Sequence, residues 1–133
     1  MANSFTSQTL LDGSRNAILK LTGVLDTSDL ALQAAISMSS LTQGGSAAAP
    51  TSVRIDKIEY SISDQLEVQL LWEATANVLI LPLAGREDMC FREAGGLQNN
   101  AGAGKTGNIL IRTTGWTSGT QVFTLIITMV KNP

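Results

Sequence analysis

Apolar and polar residues alternate along this chain with a period close to two, and glycine or small polar residues interrupt the alternation at short intervals. That pattern predicts strands and tight connections rather than helices. The first strands fall at about 5 to 11 and 15 to 25, separated by Asp12-Gly13, a pair that favours the left-handed conformations of tight hairpins. Between 29 and 41 a helix competes, because Ser28 can cap and Leu30, Ala31, Ala34, Ala35 and Met38 stand at helical spacing. A strand near 33 to 39 is the reading adopted. Residues 42 to 51, including Gly44, Gly45, three alanines and Pro50, have little to bury and read as a long surface loop.

From Val53 the alternation is regular but changes phase: Val53 and Ile55 are odd, Ile58, Tyr60 and Ile62 even. A bulge near Asp56-Lys57 restores one buried face. Leu66, Val68, Leu70 and Trp72 form the next strand after a turn at Ser63-Asp64, with Glu67, Gln69 and Glu73 opposite. Val78 to Leu81 is apolar on both faces and reads as a buried strand that Pro82 drives toward an edge. A glycine-rich stretch, 94 to 107, precedes a strand from Asn108 to Thr114. The last strand, Gln121 to Val130, places Phe123, Leu125, Ile127 and Met129 on one face. Eight or nine strands in a chain of 133 residues predict a single all-β domain, an antiparallel two-sheet sandwich of jelly-roll type.

Composition narrows the chemistry. Nine basic and eleven acidic residues are spread without a run, so no footprint for a nucleic-acid backbone is present. No stretch reaches the roughly 18 apolar residues of a membrane span, and the start lacks the basic and apolar regions of an export signal. The chain has no histidine and one cysteine, Cys90, which removes the commonest general base and the thiolate and imidazole metal sites. Cys90, between Met89 and Phe91, reads as a buried, inert thiol.

Gly104-Lys105-Thr106 imitates the end of a phosphate-binding loop. The full pattern needs a glycine where Asn99 stands and a helix afterwards, whereas a strand is predicted there, so Lys105 reads as a solvated turn residue. Glu87, Asp88 and Glu93 are flanked by Arg86 and Arg92 and read as ion-paired surface rather than a hydrolytic carboxylate pair. Asp26 and Asp29 lack the spacing of a calcium loop. Trp72 is assigned to the core. Trp116, after Gly115 at a turn, has two readings, packing or partner contact. These residues predict no enzyme, no cofactor and no small-molecule substrate.

Three segments carry a resemblance. They are Ile58-Glu59-Tyr60 followed by Val68 to Thr75; Met89 to Ile109, with Glu93-Ala94-Gly95-Gly96-Leu97-Gln98-Asn99-Asn100 and Gly102-Ala103-Gly104-Lys105-Thr106-Gly107 inside it; and Thr124 to Lys131. With the opening Leu11 to Asn16 they cover about two thirds of the chain, and the chain thereby resembles small virion structural proteins of tailed bacteriophages, of the capsid decoration or cement type. The resemblance implies a β-sandwich made in the host bacterial cytoplasm that joins the virion. There it would bind the major capsid protein on the shell exterior, often as a homotrimer, and stiffen the shell. A tail, neck or baseplate component is the alternative, and a carbohydrate-binding sandwich a third. The expected contact residues lie on the loops 42 to 51 and 94 to 107 and at the turn tryptophan: Gly44, Gly45, Gly96, Leu97, Asn99, Asn100, Lys105 and Trp116.

Overall fold

The computed structural model describes residues 3–13, 16–38 and 52–132. Within them the chain forms nine strands: β1 (Ser4–Asp12), β2 (Asn16–Leu25), β3 (Gln33–Ile36), β4 (Ser52–Ile62), β5 (Glu67–Trp72), β6 (Val78–Leu83), β7 (Arg86–Cys90), β8 (Ile109–Thr114) and β9 (Gln121–Asn132). The helical spacing around Leu30 to Met38 loses to sheet pairing: β3 lies antiparallel to β8 and buries Ile36 against the core.

Two antiparallel sheets result, five-stranded in the order β1-β2-β9-β4-β7 and four-stranded in the order β3-β8-β5-β6. The pairs are nested in the chain: β5 with β6, β4 with β7, β3 with β8, β2 with β9. A long antiparallel ribbon rolled into two layers produces this order, the wrap of a jelly roll, with β1 added beside β2. The inner faces share one apolar cluster. Leu21, Ile58, Phe123, Leu125 and Ile127 come from the larger sheet, and Ile36, Val68, Leu70, Trp72, Leu83 and Ile111 from the smaller. Burying these side chains is the main driving force for closing the two layers.

The phase change in β4 is a bulge. Ile55 pairs with Met129 and Lys57 with Thr128, leaving Asp56 as the extra residue, so that Val53, Ile55, Ile58 and Ile62 all reach the core. The period of two also carries the inward face of β9 on to Lys131, whose side chain is 1% exposed. Its stem lies in the interior and its ammonium bonds to the Asp12 carboxylate and the Gly13 carbonyl, tying the first hairpin to the last strand. Gly13 itself is not at positive φ, and its N–H donates to Asn16 O at 2.9 Å; the rest of the turn, 14 to 15, lies outside the described residues.

Two burial expectations are corrected. Strand β6 is an edge, as Pro82 requires, but it is not buried: Leu79 is 45% exposed, because a bulge between Leu79 and Leu81 turns Leu79 to the outer face. Cys90 is exposed, because β7 is also an edge and Cys90, opposite Lys57, faces outward.

Candidate functional site

Antiparallel wrapping sends alternate connections to opposite ends of the sandwich. Residues 26–32, 63–66, 84–85 and 115–120 gather at one end; residues 73–77 and 91–108 lie at the other. The predicted contact residues are thereby divided. Gly96, Leu97, Asn99, Asn100 and Lys105 belong to the long-loop end and Trp116 to the short-turn end, while Gly44 and Gly45, with the rest of the loop 42 to 51, lie outside the described residues.

The segment after β7 is braced from its first residue. Phe91 N–H donates to the carbonyl of the bulged Asp56 at 2.7 Å, and a 3-10 turn over Arg92–Ala94 ends with Gly95 N–H on Arg92 O at 3.1 Å and Gly96 N–H on Phe91 O at 2.8 Å. Gly95 and Gly96 both take positive φ, 87° and 82°, which reverses the chain toward β4. There Leu97 and Ile55 exchange backbone hydrogen bonds at 2.8 and 3.0 Å. Gly96 is also required sterically, since a Cβ would lie 2.7 Å from Asp56 Oδ1 and 2.9 Å from Arg54 Cδ.

Beneath Gly96 sits the Asp56 carboxylate, 4% exposed, with Arg54 Nε at 3.0 Å and Arg92 Nε at 3.7 Å. A buried carboxylate needs such partners, because an unpaired charge in that position is costly. With Asn16 and Val130 these side chains line an open cleft of about 450 Å³. Two guanidinium groups face one carboxylate, so the rim keeps positive charge, and Arg92 is 65% exposed and free to bond an acceptor on another molecule.

The rest of the loop is held against the β5–β6 turn through Glu73. Its Oε1 accepts from Thr106 Oγ1 at 2.8 Å and Asn108 Nδ2 at 3.4 Å, while its backbone exchanges bonds with Asn108 and Thr106. Asn108 Oδ1 in turn accepts from Met38 N–H at 2.8 Å. Thr75 N–H reaches Ala103 O at 3.2 Å, and a Cβ on Gly104 would fall 2.1 Å from Thr75 Oγ1. Gly104-Lys105-Thr106 is therefore a glycine turn pressed onto its neighbour and followed by strand β8, with no helix to present amides to a phosphate. Lys105 and Asn100 are exposed, whereas Asn99 is half-buried, its Oδ1 accepting from Ala101 N–H at 2.9 Å and its Nδ2 buried without a hydrogen-bond partner among the described residues.

At the short-turn end several polar side chains bond to the turns beside them. Asp29 Oδ1 accepts from Trp116 N–H at 3.0 Å and Thr113 Oγ1 at 3.2 Å, and Thr113 Oγ1 accepts from Leu30 N–H at 2.7 Å. Asp26 accepts from Thr120 Oγ1 at 2.8 Å. Trp116 packs partly against the core and its Nε1 donates to Gly119 O at 3.0 Å. Phe5, Tyr60 and Phe91 are likewise partly buried and Trp72 and Phe123 fully, so no aromatic side chain stands out as a platform for a sugar ring. Arg86, Glu87, Asp88 and Glu93 are exposed, but the ion pairs run outside that group, from Asp88 to Lys57 at 3.9 Å and from Arg92 to Asp56.

Among the described residues no group of three or more histidine, cysteine or acidic side chains could hold a metal ion, and no helix is long and apolar enough to cross a membrane. Sequence reading missed Asp56 and Glu73 as the two residues that organise the long loop. The break in alternation at Asp56 was the only signal, and it located the bulge without indicating what covers it. No protein-family model and no curated protein matches the chain.

Proposed function

We propose that this protein is a non-enzymatic structural component of a tailed-bacteriophage particle, which binds the major capsid protein on the shell exterior and stabilises it. The observation that carries the reading is the construction of residues 91–108. The stretch with the most specific resemblance to decoration proteins is bonded to β4 at Asp56 and Ile55 and to the β5–β6 turn at Glu73, while Asn100, Lys105 and Arg92 remain exposed. A loop held this firmly loses little conformational freedom when it docks, which favours binding. Many copies, each held weakly, would reinforce one another on a lattice of identical sites through high effective concentration. The homotrimer belongs to the same proposal.

Mass spectrometry of purified particles, with copy number measured against the major capsid protein, tests the reading. A copy number comparable with the capsid protein supports decoration. A few copies would move the protein to the tail, neck or baseplate, and absence from particles would end the virion reading altogether.

A further inference from the structure

The four sheet edges are not alike. Strand β7 is five residues long and carries Arg86, Glu87 and Asp88; β3 has four residues; β6 contains Pro82. Short length, charge and proline are the usual devices that keep an edge from pairing with another chain. Strand β1 has none of these, and its one bulge, at Leu10, lies near its end. It is nine residues long, uncharged from Ser4 to Leu11 and free of proline. From Ser4 to Thr9 it pairs with β2 without a break, Ser4 opposite Val24 and Thr9 opposite Leu19, so its outer edge is straight over that length. Among the described residues no backbone hydrogen bond reaches Ser4 to Leu11 from the open side. Leu10 and Leu11, 48% and 45% exposed, add apolar surface at the end of the same strand.

We infer that the open edge of β1 is a contact between two copies of this chain, which pair antiparallel through β1 about a two-fold axis and join their five-stranded sheets into one. A second copy is the occupant the strand's own chemistry selects. Ser4, Thr6 and Gln8 lie on the outer face and Phe5, Ser7 and Thr9 on the inner, by their partners in β2. An acidic or basic strand would find no counter-charge there, whereas an uncharged serine- and threonine-rich strand matches it and places no like charges opposite one another. The one charge at its end, Asp12, is already engaged by Lys131. Two-fold pairing of identical surfaces is also the commonest closed arrangement of identical subunits, and it saturates the edge. The contact is small, so it is weak and depends on concentration. It is independent of the virion reading, and a three-fold assembly would use other surfaces.

The test is the solution mass by analytical ultracentrifugation over a concentration series, for the wild type, the T6K/Q8K variant, the T6E/Q8E variant and their equimolar mixture. The wild type should form an even-numbered species whose mass T6K/Q8K and T6E/Q8E each halve, and mixing the two should restore it. Amides of Phe5 to Thr9 in the wild type should exchange more slowly as concentration rises, a readout that needs no variant. Equal masses for wild type and both variants, or exchange at β1 that ignores concentration, would overturn the inference.

Discussion

The two ends of the sandwich are both well bonded, yet they use polar groups differently. At the short-turn end Asp26, Asp29 and Thr113 bond to the turns beside them, and Trp116 turns its indole N–H back onto Gly119. At the long-loop end Asp56 and Glu73 sit under the loop, and what they support is displayed outward: Arg92, Asn100 and Lys105. Connection length is the physical cause. A turn of a few residues can close much of its own backbone with nearby side-chain acceptors. A loop of 91–108 must be propped from beneath, and the residues beyond the props remain available. Of the contact residues expected from sequence, Asn100 and Lys105 stand exposed at the long-loop end, Gly96, Leu97 and Asn99 are half-buried there, and Trp116 is half-buried at the other end.

Five substitutions break or sharpen that contrast, the first four in order of expected effect on stability. Removing the prop in Asp56→Ala should cost about 2 to 3 kcal/mol, because the charged hydrogen bond from Arg54 and the ion pair with Arg92 are lost; denaturant unfolding measures it, and hydrogen exchange should speed selectively at Leu97 and Phe91. The counterpart at the other end, Thr113→Val, keeps the shape but strands the Leu30 N–H, for about 2 kcal/mol in the same titration. Glu73→Gln leaves an acceptor for Thr106 but removes the charge, and should lower stability by about 1 kcal/mol or less while exchange quickens at Thr106. Lys105→Ala should leave stability within about 0.5 kcal/mol of wild type. Under the proposed function, its effect should appear as weaker co-sedimentation with empty capsid shells, and Trp116→Ala should not weaken that binding in proportion to the stability it loses.

A large drop in shell binding from Trp116→Ala at unchanged stability would reverse the contrast and move the contact to the short-turn end. Equal loss of exchange protection at both ends in Asp56→Ala would dissolve it, since the loop would then be no more separable from the core than the turns are.

Local pattern was enough for a good deal of this molecule. Alternation at Phe123, Leu125, Ile127 and Met129 determined that β9 has one buried face, and the slip from Ile55 to Ile58 determined the bulge, because side chains on a strand alternate whatever the strand pairs with. Pro82 marked an edge, since a proline cannot complete a central ladder. The exposure of Cys90 and Leu79, the burial of Lys131 and the edge position of β1 were decided only by tertiary structure. Each depends on which strand lies alongside and what crosses above, and the residues that answer are dozens of positions away: Asp12 for Lys131, Gly96 for Asp56, Glu73 for Thr106. A period of two tells which residues share a face. Only the nesting of distant pairs tells whether that face or edge is covered.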